Sequence, residues 1–360
     1  MAAMDESWKM RNGLRIPHRS VLAAMTNKQS HDDGTLSDEE IAFLIRRAEG
    51  GFGIITTAAS HVQESGQGWE GEFGVWGEHH LPGLTDLATK LKAFDARSFV
   101  QIFHGGMRAP SKITGQQPRS ASENYISEEE GYSRELSTQE VEESINAFVQ
   151  AAKRCESAGF DGVELHGAHG YLIAQFLGAN TNRRSDRFGG DVKERCTFLL
   201  EIIRGIRAIV NPDFAIMVRL SPVSEEIGIT IEDTKQVIDL LVKEKIDALH
   251  ISCWDVFEKQ DNYQTITKEL CSVYSESIPI VSTGSVWSAE DAQFVLDQGA
   301  QAVGVARVAL PYPDWASMVS NSTYSPSRPP FTPEELLSAQ LSPTFVDYMR
   351  RWKGFVTDGR

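Results

Sequence analysis

Short apolar runs alternate with longer amphipathic stretches along most of the chain. Eight runs have the length and the branched aliphatic content of buried β-strands. These predicted strands are Val21–Ala24, Gly53–Thr57, Phe99–Phe103, Gly162–Leu165, Ala215–Leu220, Ala248–Ser252, Ile280–Thr283 and Ala302–Val305. The amphipathic stretches between them predict helices at Ser37–Glu49, Leu84–Phe94, Thr138–Ala158, Val192–Val210, Ile231–Lys243 and Ser288–Gln298.

This alternation of strands and helices predicts an α/β protein with a parallel sheet. A doubly wound open sheet is the alternative, but no Gly-x-Gly-x-x-Gly fingerprint opens the first predicted helix. We therefore predict a closed (β/α)8 TIM barrel. We expect one domain over residues 1–360, with the barrel at about 14–319 and a proline-rich C-terminal extension at about 320–360.

Two long stretches interrupt the repeat after the second and third predicted strands. They are Ser60–His80 and His104–Leu136, and the second is rich in Gly, Pro, Ser and Glu. Loops that follow barrel strands lie on the face where barrel enzymes carry their active sites. We expect both stretches to act as lids over a site, and the register of their aromatic residues is not readable from the sequence.

Composition and charge narrow the classes of function. The chain of 360 residues has 50 acidic and 35 basic side chains, a formal net charge of −15, which disfavours nucleic-acid binding. Its four cysteines form no Cys-x-x-Cys pair, which argues against zinc ribbons and iron–sulfur centres. No apolar run approaches the ~20 residues of a membrane span, and the N-terminus lacks a secretory core. We expect a cytoplasmic protein without membrane partners, and a homo-oligomer is compatible with the sequence.

The densest chemistry in the chain begins at His166, directly after the fourth predicted strand. His166, His169 and Tyr171 lie close enough in sequence to converge on one small ligand. The two imidazoles could donate to a carbonyl or anionic oxygen, bind a metal, or serve the structure alone. A catalytic zinc would need a third protein ligand, and Glu164 and Asp186 are the nearest candidates. We favour the oxygen-binding role and predict no metal.

Polar residues also fall at the ends of the other predicted strands. Gln101 and Arg219 would be costly in buried strands unless a polar ligand receives them, or unless they pair with internal carboxylates. Gly284 with Ser285, and Arg307, follow the seventh and eighth strands, where barrels commonly hold a phosphate. A phosphate at this position favours a flat phosphorylated cofactor across the barrel mouth, and flavin mononucleotide (FMN) fits better than a dinucleotide.

Two sequence runs resemble the Old Yellow Enzyme family of FMN-dependent ene-reductases and NADH:flavin oxidoreductases. They are His-x-x-His-Gly-Tyr-Leu from His166 and Asn-x-Arg-x-Asp-x-Phe-Gly-Gly from Asn182. Further matches are Ala24-Met25-Thr26, Gln101, His104-Gly-Gly-Met-Arg108, Val218-Arg219, Thr283-Gly284 and Arg307. The resemblance covers about residues 14 to 315 and is to the short, barrel-only members.

The resemblance implies an enzyme in which NADH or NADPH reduces FMN. The reduced enzyme would then reduce the activated C=C bond of an α,β-unsaturated carbonyl or nitro compound by ping-pong hydride transfer. His166 and His169 would bind the substrate oxygen, and Tyr171 would supply the proton. Arg219 would face N1 and O2 of the flavin. The cofactor-binding set would comprise Ala24, Met25, Thr26, Ala59, Gln101, His166, Arg219, Gly284, Ser285, Ala306 and Arg307.

Two other functions remain alternatives at this point. A barrel lyase or aldolase could use the phosphate site for its substrate, although no lysine stands at a predicted strand end. A non-catalytic flavin-binding protein is the other, although pure binding does not require Tyr171. The sequence leaves open the physiological substrate, the choice between NADH and NADPH, and the oligomeric state.

Overall fold

Eight parallel strands close into a barrel in the computed structural model, which describes residues 3–261 and 263–357. The barrel strands are β1 (Ser20–Leu22), β2 (Ile54–His61), β3 (Arg97–Phe103), β4 (Gly162–Gly167), β5 (Ala215–Leu220), β6 (Ala248–Ser252), β7 (Ile280–Thr283) and β8 (Ala302–Val305). Each strand pairs with its neighbour in the chain, and β8 pairs with β1. The predicted (β/α)8 barrel is therefore confirmed, and the open doubly wound sheet is excluded.

Seven longer helices surround the barrel. They are α1 (Asp38–Glu49), α2 (Leu81–Leu91), α3 (Thr138–Ala158), α4 (Thr197–Ile209), α5 (Ile231–Lys243), α6 (Ile266–Tyr274) and α7 (Ala289–Asp297) among the described residues. The sequence predictions missed α6, because its buried face comprises only Thr267, Leu270, Cys271 and Tyr274 in a short segment rich in polar residues. Its apolar residues nonetheless follow helical spacing.

The predicted single helix Val192–Val210 is wrong in one respect. A turn at Cys196 separates a short helix, Val192–Arg195, from α4. The hydroxyl of Thr197 donates to the carbonyl of Lys193 at 3.4 Å, the kind of side-chain bond that bends helices.

Strand boundaries differ from the predictions where the backbone is irregular. β2 continues past the predicted end at Thr57 to His61, with a register shift between Thr56 and Ala59. β1 ends at Leu22, two residues before the predicted end, so Ala24 lies on the loop beyond it. β4 likewise continues past the predicted end at Leu165 to Gly167, so His166 lies in the strand and not after it. These differences lie at the carboxyl ends of strands, which face the candidate site.

The barrel interior has an apolar lower half and a polar upper half. The lower half packs Val21, Ile54, Phe99, Met217 and Val281 with their neighbours, and the N-terminal segment closes it from below. That segment forms an antiparallel pair, Trp8–Lys9 with Arg15–Ile16, and buries Trp8 and Ile16. The upper half carries Gln101, Glu164, Arg219 and His250, all buried. Polar groups at this depth must find partners within the barrel or in a ligand.

Both predicted lids contain local structure. The lid after β3 includes the short helix Ser111–Thr114 and two small strand pairs, Arg119–Ser120 with Arg134–Glu135 and Tyr125–Ser127 with Gly131–Tyr132.

Among the residues the structure describes, no helix is both long and apolar enough to cross a bilayer.

The C-terminal extension packs against the barrel as two short helices, α8 (Pro333–Ser338) and α9 (Pro343–Met349). Phe345 of α9 is fully buried, and its ring meets Phe43 of α1 edge to face, with centroids 5.2 Å apart. The last three residues of the predicted extension, 358–360, lie outside the described residues. The extension therefore shares the hydrophobic core with an outer helix of the barrel.

We predict that Phe345→Ala lowers the free energy of unfolding by about 3–5 kcal/mol, because it removes a buried aromatic ring and leaves a cavity. Leu337→Ala on α8 is the control, since that side chain is 41% exposed. Urea denaturation followed by tryptophan fluorescence measures both variants. Equal losses in the two variants would show that Phe345 does not anchor the extension.

Candidate active site

A cavity of about 590 Å³ opens at the carboxyl ends of the barrel strands. Nine residues that the sequence assigned to the site line it: Ala24, Met25, Thr26, His169, Arg219, Gly284, Ser285, Ala306 and Arg307. Four others do not line it. Ala59 and Gln101 are buried partners across β2 and β3, His166 is buried beside Arg219 across β4 and β5, and Tyr171 lies next to His166.

The loop after β4 turns sharply and brings three rings together. His169 and Gly170 both adopt left-handed backbone conformations, with φ of 58° and 72°. This turn folds the chain back, so the ring centroids of His169 and Tyr171 each lie 4.9 Å from that of His166. The end of β4, which carries His166, and the loop after it therefore present two imidazoles and one phenol as a single cluster at the edge of the cavity.

The Tyr171 phenol lies in an aromatic and cationic environment. Its ring meets Phe103 edge to face at 4.9 Å, and Trp69 of the first lid lies 6.5 Å away. The Arg108 guanidinium lies 5.2 Å from the ring centroid and donates to the carbonyl of His169. Burial, opposed by the charge of Arg108, raises the pKa of Tyr171 to about 12. The phenol is therefore protonated at neutral pH.

Both imidazoles of the cluster are neutral at neutral pH. Burial, with the nearby charge of Arg219, holds the pKa of His166 well below its ordinary value. Burial and the charge of Arg219 lower the pKa of His169 to about 3. Nδ1 of His166 accepts from the backbone N–H of Ala168 at 3.3 Å, so the ring proton of neutral His166 stands on Nε2.

Ser252 at the end of β6 connects His169 to Arg219, a role that the sequence predictions missed. Its hydroxyl accepts from Nη2 of Arg219 at 3.1 Å and lies 2.9 Å from Nε2 of His169. Since the hydroxyl accepts from Arg219, its own hydrogen is available for Nε2 of His169. When the hydroxyl donates this hydrogen to Nε2, the proton of neutral His169 stands on Nδ1.

Arg219 is buried with most of its hydrogen-bonding capacity unused. Its Nε and Nη1 atoms have no hydrogen-bond partner among the described residues, and no carboxylate there lies within ion-pair distance. Burial lowers the pKa of Arg219, and the charge of Glu164 opposes this effect. Gln101 differs, because its Nε2 donates to Glu164 at 2.6 Å, the internal pairing that the sequence left open. Arg219 therefore presents unpaired donors to the cavity wall, whereas Gln101 is paired within the barrel.

The opposite end of the cavity is suited to an anion. Among the described residues, the backbone N–H groups of Gly284, Ser285, Ala306 and Arg307 donate to no protein acceptor. The Arg307 side chain is exposed and makes no ion pair within that part of the chain. Free N–H groups beside an unpaired guanidinium are suited to bind an anion, and barrels commonly hold a phosphate after their last two strands.

Gly284 is required by the close approach of two strand ends. A Cβ atom there would lie 2.6 Å from the carbonyl oxygen of Cys253, a separation that real Cβ atoms do not adopt. Its φ of 154° also disfavours any residue with a side chain. Glycine therefore allows the backbone after β7 to lie against the backbone after β6.

The C-terminal extension supplies cavity residues that the sequence predictions did not assign. They are Arg328, Pro329, Phe345, Tyr348, Met349, Trp352 and Phe355. Their spacing in α9 and after it follows one face of a helix, and this signal was available in the sequence. Trp254, on the loop after β6, also lines the cavity although it is 91% exposed.

The lid aromatics divide into two groups in the structure. Trp69 stacks on Phe103 with centroids 5.4 Å apart, so it belongs to the environment of Tyr171. Tyr125 and Tyr132 contact each other and are 58% and 55% exposed. The first lid therefore contributes to the site, whereas this tyrosine pair lies on the surface.

Comparison with known proteins gives a consistent result. The sequence profile of the NADH:flavin oxidoreductase / NADH oxidase family matches residues 8–325. A probable NADH-dependent flavin oxidoreductase of Bacillus subtilis (strain 168) is 34% identical over 323 residues, 87% of this chain and 87% of that protein. An NADH:fumarate oxidoreductase of Klebsiella pneumoniae (strain 342) is 33% identical over 86% of this chain, which spans 35% of that longer protein.

A solved structure supports the fold independently of close sequence identity. The Old Yellow Enzyme homologue from Zymomonas mobilis superposes with a TM-score of 0.81 at 23% identity, over 95% of this chain and 99% of that one. The barrel, its lids and its C-terminal extension together therefore have a counterpart of nearly the same extent.

Proposed function

Since the chain belongs to the NADH:flavin oxidoreductase / NADH oxidase family, we propose that it reduces the activated C=C bond of α,β-unsaturated carbonyl or nitro compounds. The broader activity follows from the family: the chain is an NAD(P)H-dependent oxidoreductase with FMN as its cofactor. Two neutral imidazoles and one protonated phenol converge beside the cavity, and this convergence supports the proposal.

The residues of the cavity fit FMN. The unpaired Nε and Nη1 of Arg219 would donate to the polar edge of the ring system. The free N–H groups at Gly284 and Ala306, with the Arg307 guanidinium, would hold the phosphate. When bound, FMN accepts a hydride from NAD(P)H and passes it on, which is chemistry that no side chain supplies.

The imidazole pair is suited to activate a conjugated oxygen. His166 carries its proton on Nε2, and the Ser252 contact leaves the proton of His169 on Nδ1. Two neutral N–H donors can bind the same carbonyl or nitro oxygen, and they stabilise the negative charge that develops on it during reduction. These hydrogen bonds draw electron density from the alkene toward the oxygen and favour hydride addition at Cβ.

Tyr171 is suited to complete the reaction as an acid. Addition of hydride at Cβ must be matched by a proton at Cα, and the phenol is the protonated group of the cluster. Its ring lies against His166, so a substrate oxygen held by the imidazoles would place Cα near the hydroxyl. In this scheme NAD(P)H and the substrate use one site in turn, which is a ping-pong sequence.

The alternatives have less support. A lyase or aldolase does not explain the family match or the unpaired donors of Arg219.

The Klebsiella relative is named for fumarate, whose C=C bond is conjugated to carboxyl groups. An activated alkene is therefore compatible with a related protein, although the chain corresponds to only part of it.

We predict that Arg219→Met weakens FMN binding by about 10- to 100-fold, because it removes charged donors that the protein leaves unpaired. Titration of the apoprotein with FMN, followed by quenching of flavin fluorescence, measures the dissociation constant. Arg204→Met is the control, since the Arg204 side chain is exposed and pairs with Glu244 on the outside of the barrel. If both variants bind FMN equally well, Arg219 has no part in the cofactor site.

We predict that Tyr171→Phe separates the two half-reactions, and this experiment tests the proposed function. Reduction of bound FMN by NAD(P)H needs no acid and should remain near wild type. Reoxidation by cyclohexenone should slow by roughly 100-fold, the scale of a positioned acid. Nitroalkenes should be spared, since water can protonate their nitronate products. Anaerobic stopped-flow absorbance measures each half-reaction separately.

Tyr125→Phe is the matched control for this variant, because Tyr125 lies on the exposed part of the second lid. It should leave both half-reactions unchanged. A wild-type enzyme that no enone or nitroalkene reoxidises would contradict the proposed function. Equal slowing of both half-reactions in Tyr171→Phe would contradict the acid role alone.

A further inference from the structure

A buried hydrogen-bonded chain runs beneath the cavity through β3, β4, β6 and β7. Glu164 accepts from Nε2 of Gln101 at 2.6 Å with one oxygen and from Nδ1 of His250 at 2.6 Å with the other. Nε2 of His250 lies 2.6 Å from Oγ1 of Thr283. Glu164 and His250 are fully buried, whereas Thr283 lines the cavity. The chain thus connects an interior carboxylate to the cofactor site.

The glycine at position 304 keeps the cavity end of this chain open. A Cβ atom there would collide with Oγ1 of Thr283 and lie 3.0 Å from Nε2 of His250. Gly304 also lines the cavity. A residue with a side chain would therefore displace the hydroxyl that joins His250 to the cavity.

The donors and acceptors of the chain fix the direction of its hydrogen bonds. The Glu164 carboxylate only accepts, so Nδ1 of His250 donates to it. Nε2 of neutral His250 then accepts from the hydroxyl of Thr283. If Nε2 gains a proton, it becomes a donor to Oγ1, and the Thr283 hydrogen can turn toward the cavity. The hydrogen-bonded chain from Glu164 to Thr283 thus has two states in which every bond is made, and the two states differ by one proton.

The groups that face His250 set its charge at rest. These groups are Glu164 on β4, Arg219 on β5, and the imidazoles of His166 and His169. Burial, opposed by the carboxylate of Glu164, holds the pKa of His250 below its ordinary value. Burial alone would raise the pKa of Glu164, but His250 and Arg219 bring it below its ordinary value. At rest the carboxylate therefore balances the Arg219 guanidinium, and His250 is neutral.

We propose that Glu164, His250 and Thr283 form a proton relay that takes up one proton from the cavity when the cofactor is reduced. A hydride brings two electrons and one proton, so reduction by NAD(P)H makes the cofactor more negative by one charge. A negative charge placed in this buried site favours a compensating proton on a neutral base nearby. Of the three imidazoles beneath and beside the cavity, His250 is the one that donates to a carboxylate, which stabilises its cation. His250 is such a base, and Thr283 gives it a path to water in the cavity.

The step balances in atoms and charge. NAD(P)H loses a hydride and becomes NAD(P)⁺, the cofactor gains that hydride, and one solvent proton binds Nε2 of His250. When the cofactor passes its hydride to the substrate, the negative charge leaves and His250 returns its proton by the same path. The inference rests on FMN as the cofactor and does not depend on which substrate is reduced.

Proton uptake during reduction tests the relay without any measurement of turnover. The FMN-loaded enzyme is reduced anaerobically with one equivalent of NADH in weak buffer with a pH indicator near neutrality. Wild type should take up about one proton per FMN, because NADH oxidation itself neither consumes nor releases one in this half-reaction. His250→Gln should take up none. No uptake by wild type, or equal uptake by His250→Gln, would overturn the proposal.

His61→Gln is the matched control, since His61 at the end of β2 forms a similar buried pair with Glu72 of the first lid at 2.9 Å. It should take up as many protons as wild type. Thr283→Val should slow the uptake while leaving its final amount unchanged. An unchanged rate would remove the hydroxyl from the path and contradict the relay.

If the His250→Gln variant fails to fold or to bind FMN, nitrogen NMR of the wild-type enzyme with labelled histidine tests the proposal without it. The His250 signal should change from a neutral imidazole protonated on Nδ1 to an imidazolium when FMN is reduced. A His250 that stays neutral in the reduced enzyme would overturn the proposal. Failure of the wild-type protein to bind FMN would instead contradict the cofactor assignment, so failure of the relay and failure of the cofactor assignment are distinguishable.

Discussion

The buried guanidinium of Arg219 is the constraint on which the upper half of the barrel depends. A buried charge costs several kcal/mol unless other groups compensate it. Glu164 supplies opposite charge from within the barrel, and Ser252 accepts one hydrogen bond. Two donor nitrogens remain for a ligand. The same charge helps to keep His166 and His169 neutral, so one buried arginine affects both the proposed cofactor side and the proposed substrate side of the cavity.

Different parts of the structure supply different walls of the candidate site. Strand ends supply the polar floor, and the loops after β7 and β8 supply free N–H groups for an anion. The first lid and the C-terminal extension supply aromatic walls through Trp69, Tyr348 and Trp352. Apolar walls strengthen the electrostatic interactions of the floor because they exclude water. The extension thus belongs to the site as well as to the core.

The sequence predicted the barrel well because strand periodicity and chain order determine it locally. It also found the His166–Tyr171 cluster, since those residues are adjacent in the chain. It missed the partners that only tertiary structure brings together. His250 and Ser252 are isolated polar residues in a buried strand, and their contacts to Glu164 and His169 cross more than 80 positions of sequence. The cavity face of α9 was hidden by the prolines around it, although its aromatic spacing was readable.

Transfer of an isotopic label tests whether this enzyme moves a hydride from NADH through FMN to Cβ of an enone. Enzyme reduced anaerobically with NADH deuterated at the transferable C4 position is mixed with one equivalent of cyclohexenone in ordinary water. If hydride passes from NADH through FMN to Cβ and the proton at Cα comes from the enzyme and water, we expect a saturated ketone with deuterium at Cβ and hydrogen at Cα, together with reoxidised FMN. A ketone without deuterium at Cβ, or reduced FMN that the enone leaves unchanged, would contradict it.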